Sequence, residues 1–502
     1  MSGRRLVAAL ALAATGCASI APPRDAAPGS AVARCEHAFA VTEAAVAGAG
    51  VADGYGTRVP GYPYLRADRF LASFASAPLT VAERERLVQL MMTAGREARE
   101  IEFGNLPPDA RRTLEAALAP GDPAVVLREC ADTLRRADAG SPGFAAQLAD
   151  AARVPDDYDT WKRVVGLYPL AAVPFSAGVR RYEEATRATF ALPPSQLPVR
   201  GTLMHYAPSG QGLTGTAAAA LLASSPRDPL GIPQLAPEQV LTLAWTFAPV
   251  LLVDVAGDDD RPGHPAFGPD GGRTVDPAQP AAYFRVAYTR VGREVFVQLV
   301  YTFWFKARPK TSPYDLLGGP VDGLVWRVTI GHDGRPIVFD SIHPCGCYHQ
   351  FFPTPRAVLR PVEPTLEETA FVPQRLPAVE AGQPVTLRVE SGTHYLQRIE
   401  LAGPAPAAAA GYELVPDDRL RRLPYAGGTA SFFGPDGIVP GTERGERYFF
   451  WPMGVPDPGA MRQWSRHPTA FVGRRHFDEA FLLERYFEFT ISPGAAAAGR
   501  LQ

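Results

Sequence analysis

His343, Cys345, Cys347 and His349 stand at every second position of the segment DSIHPCGCYH, in a chain of 502 residues that has five cysteines. Imidazole and thiolate are the ligands that hold zinc or copper(I) rather than calcium or magnesium. The same residues could instead close a Cys345–Cys347 disulfide, structural or redox-active, or supply a thiol nucleophile with an imidazole base. In a straight strand alternate side chains lie about 7 Å apart. Four ligands in such a line cannot reach one tetrahedral ion through bonds of about 2.0–2.3 Å. A metal site therefore requires a bend, which Pro344 and Gly346 would permit, and ligands from elsewhere. His394 in GTHYLQ and His476 in RRHFDEAF are the candidates, so the metal set is His343, Cys345, Cys347, His349, His394 and His476. Zinc with an open position would activate water for hydrolysis, with Glu479 or Asp340 as base. A CGC bridge needs its Cα atoms about 5.5–6 Å apart, closer than an extended strand gives, so it would be strained and readily reduced.

Other chemistry-bearing clusters have plainer alternatives. Asp254, Asp258, Asp259 and Asp260 follow an apolar run and could offer oxygen ligands to calcium, but EF-hand spacing is absent and a solvated acidic turn is the simpler expectation. Trp304, Lys306, Arg308, Trp326 and Arg327 read as core aromatics with cations reaching outward, or as an aromatic and cationic groove for a glycan or lipid headgroup. Arg447, Trp451, Arg474, Arg475, His476, Asp478 and Glu479 form a second candidate site. No P-loop, G-x-G-x-x-G, G-x-S-x-G, H-E-x-x-H or C-x-x-C-H pattern occurs, so nucleotide, serine-hydrolase, zincin and covalent-haem chemistry lack their signatures.

These residues need elements to position them. Residues 35–155 carry helical spacing: TVAERERLVQL opens with Thr80 and has Glu83 in capping-box position, and three shorter helical segments follow. Residues 156–235 are broken by proline, with one amphipathic piece, GVRRYEEATRATF. The apolar run VLTLAWTFAPVLLV, 240–253, is too short to span a bilayer and reads as buried strand. Beyond it, AAYFRVAYTRVGREVFVQLVYTFWFKARP reads as a hairpin turning at Val291-Gly292-Arg293, and DGLVWRVTIGHDGRPIVFDSI as another turning at His332-Asp333-Gly334. PVTLRVESG, HYLQRIEL and ERYFFWPMG give further strand signals. The expected fold class is α+β, with a small helical region at 35–155 and a larger β-rich domain at 156–490, a mixed sheet or sandwich, ending in a disordered tail at 491–502.

At the start of the chain two arginines, an apolar run from Leu6 to Ala14 and small residues lead to Cys17. This is a secretory signal, and Ala14-Thr15-Gly16-Cys17 resembles the lipobox of bacterial lipoproteins, with Ala14 where leucine is usual. The resemblance covers about twenty residues and says nothing of the fold. It implies cleavage of residues 1–17 before Cys17, lipidation of Cys17, a tether at 18–34, and, through Ala18 in place of aspartate, a place on the periplasmic side of the outer membrane. Four cysteines then remain in an oxidising compartment. Cys35 with Cys130 is the favoured disulfide because both fall in the helical region. Lys and Arg total 50 against 52 Asp and Glu, so no broad basic footprint marks a nucleic-acid partner. The expected protein is an envelope lipoprotein with a zinc or copper site supporting hydrolysis. The alternative is a non-enzymatic module that binds an envelope protein or glycan.

Overall fold

The computed structural model describes residue 24 and residues 26–490, apart from 364, 402, 404 and 405. Cys17, its lipobox, the first part of the tether and the tail 491–502 lie outside the described residues.

The fold is α+β. Helix α1 (Ala31–Gly48) and helix α2 (Val81–Asn105) pack with helix α3 (Pro123–Ala139) and shorter helices around a small hairpin, Thr57–Val59 with Tyr62–Ala67. At the start of α2 the Thr80 hydroxyl accepts from the Glu83 amide at 3.2 Å, and the Glu83 carboxylate accepts from the Thr80 amide at 2.7 Å. This reciprocal cap is the one its sequence announces. Cys35 of α1 and Cys130 of α3 form a disulfide. The apolar cluster of this region also takes in Leu230, Ile232, Val295 and Ala480, so the helices and the sheet share buried surface.

Helix α4 (Thr160–Val165) and helix α5 (Tyr168–Ala191) occupy the proline-broken stretch, with Pro174 inside α5. The main sheet has ten strands: β1 (Thr202–Pro208), β2 (Val250–Val255), β3 (Ala281–Val291), β4 (Glu294–Arg308), β5 (Gly319–Ile330), β6 (Pro336–Ile342), β7 (Gln350–Pro353), β8 (Thr386–Val389), β9 (Leu396–Glu400) and β10 (Ala410–Pro416). Their spatial order is β7-β6-β5-β4-β3-β10-β1-β2-β8-β9. Strands β3 to β7 form an antiparallel meander, and β10 joins it in parallel to β3 and β1. Both hairpins turn where expected, at Gly292-Arg293 and over His332-Asp333-Gly334.

Strand β4 is buried on both faces, which explains its near-continuous apolar sequence. Leu299, Tyr301, Phe303 and Phe305 enter one core with Phe190 of α5, while Trp304 faces Phe432 and Phe433 on the other side. Trp304 and Trp326 are therefore core residues, not a groove.

Two strand expectations give way to helix. Residues Pro237–Phe247 are helical, and only Val250–Val255 of that apolar run is strand. Pro237 at the first turn and Leu243, Ala244 and Phe247 on one face favour a helix, which periodicity cannot separate from a buried strand in so short a run. Within ERYFFWPMG, Arg447–Phe450 forms one helical turn, α6.

Candidate functional site

The HPCGCYH segment is a tight turn between β6 and β7, not a straight strand. The His343 amide donates to the Cys347 carbonyl at 3.0 Å, and the Gly346 amide donates to the His343 carbonyl at 2.8 Å. Gly346 takes φ +90°, and a Cβ there would collide with the carbonyl oxygen of Pro468. Glycine is required at this bend. Tyr348 follows with φ +62°, a left-handed conformation rare for a large side chain.

The bend sends the two histidines to different carboxylates. His343 Nδ1 lies 3.6 Å from Asp322 Oδ1. The other oxygen of Asp322 meets His394 Nδ1 at 2.8 Å, and His394 Nε2 lies 3.4 Å from Asp260 Oδ1. A buried chain His343–Asp322–His394–Asp260 results. His394, itself at φ +55°, stacks on Phe305 with ring centres 4.0 Å apart. Asp260 also accepts from the Ser391 hydroxyl and from the amides of Gly392 and Ala256. Burial alone would favour a neutral His394, but the hydrogen bonds to Asp260 and Asp322 outweigh it and raise the ring to about 8. Burial of Asp322 is likewise outweighed by its two imidazole partners, which hold it far below the usual carboxylate range.

His349 faces Asp340, with Nε2 to Oδ2 at 2.9 Å, while Arg327 clamps the same carboxylate from the other side. Burial pushes His349 down to about 3, so its ring is neutral at ordinary pH. Asp340, offered by sequence as a base, is committed to this ion pair. Cys345 and Cys347 are free thiols, and the Cys347 amide donates to Cys345 Sγ at 3.4 Å. The hydrogen bond to Cys345 and burial push the Cys347 thiol well up, the opposite of what a thiolate nucleophile needs.

His476 lies elsewhere, among Asp156, Asp157 and Glu479. The second candidate cluster is a set of ties between elements: Arg474 pairs with Asp156, Asp478 with Arg69, and Glu479 with Arg485. Arg475 is buried against Thr469 and Glu368. Asp254 accepts the amides of Arg200 and Gly201 and so pins a strand end. Among the described residues no three His, Cys, Asp or Glu side chains converge as one ion's ligands. The six sequence candidates do not fit a zinc or copper shell, because the imidazoles are directed at Asp322, Asp340 and the Asp156 cluster, leaving two adjacent sulfurs alone.

What the turn does build is the wall of a cavity of about 500 Å³. Cys347, Tyr348 and His349 line it together with Tyr395, Phe175 and Tyr182 of α5, Phe450, Phe471, Glu368, Arg475 and Glu446. The lining is mostly apolar and aromatic, as small-molecule sites are. Tyr348 and Tyr395 also pack on His343, with ring centres 5.1 and 5.5 Å away, so the buried His–Asp chain ends directly behind the cavity wall. Arg308 donates to the Tyr395 hydroxyl at 3.3 Å.

Glu446 stands out in this wall. Its residue is 4 % exposed, and among the described residues no protein group donates a hydrogen bond to its carboxyl, whose oxygens keep some access to the cavity. Burial raises it to about 7 despite the pull of Arg308 and Arg444. Nothing local in GTERGERYFF distinguishes this glutamate from a solvated one, nor does DGLVW mark Asp322. Both acquire their roles only when loops distant in sequence meet.

Comparison with protein-family models, with curated proteins and with solved structures finds no match for this chain.

Proposed function

We propose that this chain is a lipid-anchored envelope protein, held to the outer membrane through Cys17, that takes an amphipathic molecule into the cavity beside the HPCGCYH turn and hydrolyses it by acid–base chemistry at Glu446. What carries this reading is one observation: a nearly buried carboxyl to which no described protein group donates, raised to about 7, in the wall of an aromatic cavity. A carboxyl tuned to neutral pH exchanges protons in both directions, and such tuning concentrates at reaction centres. In hydrolysis Glu446 would take a proton from water as the water oxygen attacks, then return it to the leaving group. The His343–Asp322–His394–Asp260 chain would hold Tyr348 and Tyr395 in place behind the ligand.

The test begins with the full chain purified from membranes in mild detergent, its bound small molecules extracted and identified by mass spectrometry. Turnover of the molecule found should rise with pH through an apparent midpoint near 7, and Glu446→Gln should abolish it while leaving the fold intact. Binding that persists without turnover in the unaltered chain would favour the second reading, a non-enzymatic carrier. The paired free thiols of Cys345 and Cys347 would then serve as a redox or structural element. A cavity that retains nothing would refute both.

A further inference from the structure

The surface beside the cavity is unusually apolar. Trp161, Val164 and Val165 of α4, Leu170 of α5, and Tyr448 and Phe449 of α6 are each more than half exposed. On α4 Val164 and Val165 follow Trp161 by three and four residues, which places the three side chains on a single face. The elements that carry them are in direct contact. Phe175 of α5 packs edge-on against Phe450 of α6 at 5.1 Å, and the α4–α5 junction at Gly166 abuts Pro452 just after α6. Phe175 and Phe450 also line the cavity, so the exposed face borders its mouth. Soluble surfaces scatter single apolar residues but rarely gather them in this way.

We infer that this face seats in the surface of a phospholipid bilayer and opens the cavity toward the lipid phase. Three observations favour a membrane over a protein partner. The face mixes tryptophan and tyrosine with aliphatic side chains, the set that suits a membrane–water boundary. Arg180 and Arg181 of α5 directly follow Gly178 and Val179, which line the cavity, and Lys310 packs on Gly318 beside Leu317 of the same lining; no carboxylate among the described residues pairs with these three charges, which would meet lipid phosphates. Finally, Arg24 is held to the folded body through Asp138 and Glu36. The seven residues back to Cys17 can span at most about 25 Å, so a lipid on Cys17 would keep the body close to the bilayer. Seating does not depend on the chemistry assigned to Glu446.

The experiment uses the full chain on vesicles of phosphatidylethanolamine and phosphatidylglycerol, with and without brominated acyl chains. Brominated lipid should quench part of the tryptophan fluorescence, and Trp161→Phe should remove that part. Val164→Glu combined with Leu170→Glu, both at exposed positions, should abolish the quenching while leaving the near-ultraviolet circular dichroism unchanged. Absence of quenching, with Trp161 still open to aqueous iodide, would overturn the inference. So would concentration-dependent self-association in the absence of vesicles that the double variant abolishes, since a second copy would then cover the face. Glu446→Gln should quench like the unaltered chain, which separates failure of seating from failure of the proposed chemistry.

Discussion

At the scale of single residues, the decisive groups are those whose ionisation the interior alters. Glu446 is held protonated by burial up to about pH 7, against an ordinary value of 4.5. The folded state therefore keeps a proton that the unfolded chain releases above pH 4.5, and the stability tied to it is lost as pH rises through 7. Glu446→Gln removes this dependence. Thermal unfolding should show the variant gaining on the unaltered chain between pH 4 and pH 8, by at most about 3 kcal/mol. An equal difference at both pH values would mean that the carboxyl titrates normally and is open to water. Asp340 and Glu479, the bases that the sequence suggests, are both neutralised by arginines. A carboxylate beside a conspicuous histidine draws the eye, yet a free proton-exchanging group must lack strong partners, and partners are a tertiary property.

At the scale of elements, local rules worked where local energies dominate. The capping box at Thr80 and Glu83 and the two hairpin turns form where their residues demand. The bend at Pro344 and Gly346 also forms, but the histidines on either side of it diverge instead of gathering. Among the helices, Cys35 and Cys130 close a link across 95 residues. Restricting so long a loop in the unfolded chain is worth about 4–5 kcal/mol on the chain-entropy account. Replacing both cysteines by alanine should lower the urea midpoint accordingly, and reduction of the unaltered protein should do the same. A midpoint that moves in neither case would show that α1 and α3 are held by packing alone.

At the scale of the whole molecule, stability should peak near pH 6.5. Burial lowers His349 to about 3 and His467 to about 4, so below pH 6.5 the unfolded chain takes up two protons that the folded chain refuses, and acid destabilises. His394 works in the opposite sense. Raised to about 8, it keeps its proton when folded while the unfolded ring has lost it, so its contribution is complete below 6.5 and disappears as pH rises through 8. Glu446 adds to the alkaline loss and only partly offsets the two imidazoles on the acid side. Calorimetric scans from pH 4 to 9 should show a maximum melting temperature between 6 and 7. A melting temperature still rising at pH 8.5 would contradict the assignment of His394.

The sequence by itself determined the α+β class, the helical region followed by a large sheet and the strands of the central meander, and it favoured the Cys35–Cys130 pairing among three possible connectivities. Each rests on periodicity, capping or turn chemistry acting within a few residues, or on the simple confinement of two cysteines to one region. Tertiary structure alone decided that Asp322 and Asp260, both at least 72 residues earlier in the chain, bracket His394 in space. It also decided that His476 belongs to another cluster and that Glu446 faces an aromatic cavity. The reason is physical: ionisation and ligand geometry depend on which groups share a low-dielectric space, and that space is enclosed by strands and loops whose meeting no local signal encodes.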